Sequence, residues 1–264
     1  LTYQDPDYLI KKQYRDGGNL ESRIQIHERF SQNPQGLHSW MHGIFRLSNA
    51  SQVLEVGGGT GQLWDSATDD LAFDLRLTLT DLSPGMLAEA EARLASRFKA
   101  ARFQVADIAQ LDFPPASFDV VMAHFMLYHV PDLQPAFDAV CRVLSPQGHF
   151  YATTVGEDHL AELKALVQAY APDEVIPGFS PTFTLENSLT QLGTHFVDFE
   201  RMDYPDHLLV SEPEPLVRYI LSSSPPEWHE AHRLADLHRY VEARLNSGPI
   251  HITKSVGMLR CRPR

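Results

Sequence analysis

Residues 53–61 read Val53-Leu54-Glu55-Val56-Gly57-Gly58-Gly59-Thr60-Gly61. A short apolar run passing directly into glycines predicts a buried strand that ends in a tight turn. Such a turn sets bare backbone beside a ligand, because side chains there would block close approach. Gly57, Gly59 and Gly61 are spaced G-x-G-x-G. The dinucleotide fingerprint would need glycine where Gln62 stands, and a P-loop would need a following Gly-Lys-Ser/Thr that the chain lacks.

Outward from this loop, strand-like and helix-like periods alternate. Leu75 to Thr80 reads as the next strand. Ser83 then offers an N-cap and Pro84 a first-turn residue for a helix carrying Leu87, Ala90, Leu94 and Phe98 on one face. Phe103 to Val105, Phe118 to Ala123 and Phe150 to Val155 supply three more strands. Leu133, Phe137, Val140 and Leu144 mark a helix before the turn Pro146-Gln147-Gly148. Parallel strands need crossover helices, so the alternation predicts an α/β, doubly wound, mostly parallel sheet with helices on both faces.

The flanks complete a seven-stranded expectation. Residues 8–47 are helical in pattern, with Leu20, Ile24 and His27 on one face and Leu37, Trp40, Met41, Ile44 and Phe45 on a second. Asn33-Pro34-Gln35-Gly36 breaks them. After a helix over Leu160, Leu163 and Val167 comes a proline-rich stretch, Pro172 to Pro181. His195 to Val210 reads as one or two extended segments, and Ile250 to Cys261 as the last strand. Between them Leu216 to Leu245 is helical, interrupted at Ser222-Ser223-Ser224-Pro225-Pro226, and reads as an insertion over the sheet's ligand edge. The expected organisation is one domain over 1–264: N-terminal lid helices over 1–50, a cofactor core over 51–155, and a C-terminal half over 156–264 with its helical cap at about 212–247.

Acids recur at the strand ends. Asp81 closes the second strand, where a carboxylate can accept both hydroxyl protons of an adenosine ribose. That placement also fits NAD. Asp107 closes the third strand and is suited to accept from an adenine amino group. A solvated loop carboxylate is the plain alternative for either acid alone, and their joint placement argues against it.

Val53 to Gly61, Asp81 to Leu87, Ala106-Asp107, Phe118 to Val121 and Leu144 to Gly148 resemble, in order, the successive motifs of class I (Rossmann-like) S-adenosylmethionine-dependent methyltransferases of the small-molecule type. The resemblance covers roughly residues 50–155. It implies S-adenosylmethionine as cofactor and S-adenosylhomocysteine as product. Carried onto this chain, it implies that Gly57, Gly59 and Gly61 hold the methionine part, Asp81 with Leu82 and Met86 the ribose side, and Asp107 with Ile108 the adenine. Glu55 matches an acid that faces the methionine amino group through the loop. Gly58 stands where relatives often carry cysteine or a larger residue, which should loosen the turn without removing it.

A sulfonium is already a good leaving group, so in-line methyl transfer needs mainly alignment and exclusion of water. A base is needed only for an acceptor that is protonated at working pH. The segment Ala123-His124-Phe125-Met126-Leu127-Tyr128-His129-Val130-Pro131-Asp132 follows the fourth strand and resembles the family's motif ending His-Val-Pro-Asp. His124 is the preferred acceptor-facing residue and also borders the cofactor. His129 either orients or deprotonates the acceptor, or bonds backbone in a tight turn. Met126 and Tyr128 read as core. Among Tyr3, Tyr8 and Tyr14 in the N-terminal stretch, Tyr14 either lies over the sulfonium, since an aromatic face favours a cation, or belongs to an ordinary amphipathic helix.

The remaining composition narrows the partners. With 22 Lys and Arg against 34 Asp and Glu, the formal charge is −12, which repels phosphate backbones and anionic membranes. Arg93, Arg97, Lys99 and Arg102 are the nearest thing to a basic patch and read as a helix's outer face. No nucleic acid or membrane partner is expected. Cys141 and Cys261 form neither a disulfide framework nor a thiolate metal site. The 13 histidines include His38 and His42 on one helix and His229, His232 and His238 on another. Without carboxylates at motif spacing these read as solvated faces, with no metal. The N-terminus is polar rather than signal-like, and Leu1 suggests a trimmed start. A cytoplasmic monomer or homodimer that methylates O, N or activated C of a small acceptor, in specialised-metabolite or quinone-like chemistry, is the leading expectation. Methylation of RNA or protein, and a cofactor-binding module without turnover, are the alternatives.

Overall fold

Alternate residues along the central strands point to opposite faces, and both faces are apolar, so the sheet must be covered twice. The computed structural model describes residues 4–47, 51–68, 75–174 and 182–264. Its strands are β1 (Gln52–Val56), β2 (Arg76–Asp81), β3 (Arg102–Val105), β4 (Phe118–His124), β5 (Leu144–Val155), β6 (Phe196–Val210) and β7 (Ile250–Pro263). They form a seven-stranded sheet in the order β3-β2-β1-β4-β5-β7-β6. The strands from β3 through β5 are parallel, and β7 runs antiparallel to both β5 and β6.

The α-helices are α1 (Pro6–Tyr8), α2 (Gly18–Phe30), α3 (Leu37–Ile44), α4 (Pro84–Leu94), α5 (Leu133–Val143), α6 (Ala161–Tyr170), α7 (Ser188–Leu192), α8 (Pro213–Leu221) and α9 (Ala231–Leu245). On one face Val53, Leu77, Leu79, Val120, Met122 and Tyr151 pack with Leu87, Ala90 and Leu94 of α4. On the other, Leu54, Val56, Val121, Ala123, Phe150 and Ala152 pack with Phe137 and Val140 of α5. Each buried aliphatic or aromatic side chain contributes roughly 1.5–3 kcal/mol, so these faces dominate the stability. Ser83 caps α4 by accepting from the Met86 amide at 3.3 Å.

β6 and β7 stay paired well beyond the end of β5: Val155 is matched to Val256, whereas the β6–β7 ladder continues to Val210 and Ile250. This projecting ribbon carries Leu208, Val210, Ile250 and Ile252 into a third core with α2, α6, α8 and α9. The helical insertion before the last strand is therefore seated at the end of the sheet where the parallel strands finish. Two details differ from expectation. β5 begins at Leu144, opposite Phe118, and 145–148 bulge before pairing resumes at His149. His38 and His42 do not face solvent: burial lowers both, His38 to about 4, and the His42 ring bonds the Leu63 carbonyl at 2.8 Å. Tyr3 and residues 175–181 of the proline-rich stretch lie outside the described residues.

Candidate active site

Strand order reverses between β1 and β4, and in open parallel sheets the crevice beyond that point receives ligands. The glycine loop is there. Gly57, Gly59 and Gly61 adopt φ of 63°, 56° and 74°, a region open to glycine at little cost. A Cβ on Gly57 would lie 2.8 Å from the Met126 side chain, so the residue keeps the loop against the segment after β4. Gly58 does not loosen the turn: the Leu79 side chain fills the place a Cβ would take, 2.6 Å away, and the Gly58 amide donates to the Thr80 carbonyl at 2.9 Å.

Asp81 is half-buried at the end of β2. Its two carboxylate oxygens accept from the Gly59 amide at 2.9 Å and the Ser83 amide at 2.8 Å. Burial raises its pKa, and these amides work in the opposite direction. Each oxygen keeps a further lone-pair direction for a ligand hydroxyl. Asp107 accepts from the Ala109 amide at 2.9 Å, which leaves its other oxygen available beside buried Ile108. Leu82 is half-buried, and Met86 is buried beneath the loop, its methyl 3.9 Å from a Cβ built on Gly59.

Glu55 lies in the interior and accepts the Trp64 indole N–H at 2.6 Å. Burial drives its pKa up to about 8, with the Trp64 bond opposing and the Asp81 charge adding. Thr60, a loop residue with no signal of its own in the sequence, has a buried hydroxyl with no partner among the described residues. Bare backbone, two carboxylates with spare acceptor capacity and an orphaned hydroxyl fit a polar adenosine-type cofactor.

Beyond β4 the chain turns sharply, with Phe125 at φ 55° and its amide donating to the Thr153 carbonyl at 2.9 Å. A bulky residue in that region is strained, a feature that clusters at functional sites. His124 just precedes it. Its Nδ1 bonds the Thr153 hydroxyl at 2.7 Å, its Nε2 is buried without a partner, and its ring lies 5.6 Å from Phe45. Burial, helped by His38 and His42, lowers His124 to about 3, so the ring is neutral.

His129 does more than close a turn. Its Nε2 is 3.1 Å from the Tyr14 hydroxyl, and the two rings meet edge-on at 5.4 Å. Arg23 donates to that same hydroxyl at 3.3 Å, and also to the Ser222 carbonyl at 3.2 Å and the Ser223 hydroxyl at 2.8 Å. N-terminal segment, post-β4 loop and α8 are thus joined across the strand ends. Nothing in the spacing of Arg23 and Ser222 signals this, because they lie 199 residues apart. Two members of the basic run are committed elsewhere: Arg93 pairs with Asp65 at 2.7 Å, and Arg97 donates to the carbonyls of Trp64, Asp65 and Ala67. Among the described residues no three His, Cys, Asp or Glu side chains converge as a metal site, and no helix is long and apolar enough to cross a membrane.

Residues 54–152 match a family model described as a methyltransferase domain. That stretch is a class I S-adenosylmethionine-dependent methyltransferase domain. Among curated proteins, the ubiquinone/menaquinone biosynthesis C-methyltransferase UbiE of Rickettsia massiliae is 33% identical over 123 residues, covering 44% of this chain and 50% of that protein. The chain therefore spans about half the length of this relative. A Haemonchus contortus phosphoethanolamine N-methyltransferase 2 solved with S-adenosyl-L-methionine superposes with a TM-score of 0.60 at 20% identity, over 99% of this chain and 60% of that one. The cyclase SpnF shares the fold with a TM-score of 0.56 at 16% identity, over 93% and 94% of the two chains.

Proposed function

We propose that this methyltransferase domain moves a methyl group from S-adenosylmethionine to O, N or an activated carbon of a small-molecule acceptor. The observation that carries the reading is a hydrogen-bonded chain at the strand ends, from His129 to Tyr14 to Arg23 to Ser222, which ties the N-terminal segment to the loop after β4 and to the end of α8. An acceptor taken beneath that chain would be small. Engagement of Arg93 and Arg97 by Asp65 and backbone carbonyls also leaves the basic run poorly suited to a phosphate chain. The curated relative's name adds ring-type carbon acceptors to the class considered.

S-adenosylmethionine, when bound, supplies an electrophilic methyl group and a neutral thioether leaving group. Gly57, Gly59, Gly61 and Thr60 would hold its amino-acid end, with Glu55 beneath. Asp81 would take the ribose, flanked by Leu82 and Met86, and Asp107 with Ile108 would take the adenine. His124, neutral and anchored on Thr153, orients the acceptor through Nε2. With its conjugate acid at about 3 it is a weak base. His129, already hydrogen-bonded to Tyr14, would take the proton that a protonated acceptor must lose, and the Tyr14 ring is the aromatic face that would favour the sulfonium.

The test is incubation with methyl-labelled cofactor and three separated fractions: metabolites, RNA and protein. Label is expected among the metabolites, with His129→Ala lowering the rate at least tenfold. Label in RNA or protein would replace the acceptor class, and tight cofactor binding without transfer to any fraction would leave a binding module.

A further inference from the structure

His27 of α2 and His159 of the turn after β5 are stacked, their rings 6.0 Å apart and 20° from parallel. Tyr219 of α8 meets the His27 ring edge-on at 6.1 Å. Three elements distant in sequence thus bring two imidazoles and a phenol ring to one place beside the strand ends. Neither imidazole hydrogen-bonds to a described residue, and Nδ1 of each is buried without a partner. A buried polar group left unpaired costs about 1–3 kcal/mol, which a plain core position would avoid with leucine or phenylalanine. Both residues nevertheless keep partial exposure.

The electrostatics around the two rings are specific. Burial lowers His27 to about 3 and His159 well below its usual value, and the Lys254 ammonium pushes both the same way. Both rings are therefore neutral, and each offers one N–H donor and one bare nitrogen acceptor. Lys254 itself is closed on Asp206 at 2.6 Å, and at His159 the Lys164 ammonium disfavours a proton as well. Hydrogen-bonding capacity without net charge, walled by aromatic rings, suits a neutral polar group on a flat apolar body. A carboxylate would have to draw protons onto two rings that resist them, and a cation would meet Lys254 and Lys164.

We propose that His27 and His159, with Tyr219 as their wall, form a recognition site for an uncharged hydroxyl or carbonyl group carried on the ring-shaped part of the acceptor. The assignment to an acceptor rests on the methyltransferase reading; the binding chemistry does not. The full chain, isotope-labelled at its histidine nitrogens and saturated with S-adenosylhomocysteine, is titrated with phenol, benzoate, benzylamine and toluene while the imidazole signals are followed. Phenol should move the His27 and His159 signals saturably with both rings still neutral. His27→Phe and His159→Phe should each weaken phenol roughly tenfold while leaving toluene unchanged, and His27→Gln should restore part of the loss. Melting temperatures check that the variants fold. Tighter binding of benzoate with protonation of the rings, phenol no tighter than toluene, or ring signals unmoved by every probe would each overturn the proposal. Failure of the wild-type chain to bind S-adenosylhomocysteine would instead sink the methyltransferase reading, and the phenol response would still be readable.

Discussion

Glu55 sits beneath the glycine loop with the Trp64 indole as its hydrogen-bond donor, and its burial has a thermodynamic consequence. For an acid, a folded pKa of about 8 against the ordinary 4.5 means that the native chain keeps a proton which the unfolded chain gives up. The stability this contributes is complete below 4.5 and is lost as pH rises through about 8. Glu55→Gln keeps an acceptor for Trp64 and has no proton to lose. It should leave stability near pH 5 unchanged and raise it near pH 8 by on the order of 1–3 kcal/mol, read from urea unfolding at the two pH values. An equal loss at both would show that the carboxylate is ionised in the folded chain. Placing the ammonium end of the cofactor above Glu55 adds a second expectation. Wild-type affinity for S-adenosylhomocysteine should rise from about pH 6 to about pH 8, and the glutamine variant's should stay flat and lower.

At the scale of elements, the projecting β6–β7 ribbon is fastened to the α2–α3 connection through one carboxylate. Asp206 accepts from Lys254 at 2.6 Å, from the Ser31 hydroxyl at 2.6 Å, and from the amides of Gln32 and Asn33 at 3.0 Å each. Burial works against both charges and lowers Lys254, but the ammonium and the Ser31 hydroxyl outweigh it at Asp206 and hold that carboxyl below its usual value. The side chains are 4% and 0% exposed, so removing one partner strands the other. Lys254→Met should cost about 3–5 kcal/mol in denaturant unfolding, and Lys254→Met with Asp206→Asn should recover much of it. A single-variant loss below about 1 kcal/mol would mean that water reaches the pair. This fastening was invisible in the sequence, whereas the elements it joins were not. Gly57, Asp81 and Asp107 could be placed because backbone approach and strand ends dictate residue type locally. His42, His159, Arg23 and Asp206 take their meaning from partners brought by the tertiary fold. Histidines four apart on a helix look alike whether the face meets water or, as for His38 and His42, the interior.

For the whole molecule the question is how the N-terminal helices and the cap respond together to a ligand in the crevice. Leu20 of α2 reaches within 3.6 Å of a Cβ built on Gly59, and the Gly17 amide donates to Glu89 of α4 at 2.9 Å, so the N-terminal segment rests on the glycine loop. The same segment holds α8 through Arg23, which spans Tyr14, Ser222 and Ser223. A ligand that steadies the loop should therefore steady α2 directly and α8 through that guanidinium. Hydrogen exchange of the full chain, with and without S-adenosylhomocysteine, should show slowed exchange in both helices. In Arg23→Ala the slowing should persist in α2 and largely vanish in α8, with a several-degree fall in melting temperature from the lost hydrogen bonds. If α8 in the variant still slows as in the wild-type chain, the cap is coupled to the crevice by packing in its shared apolar core, and the hydrogen-bonded link across the strand ends is a fastening rather than a conduit.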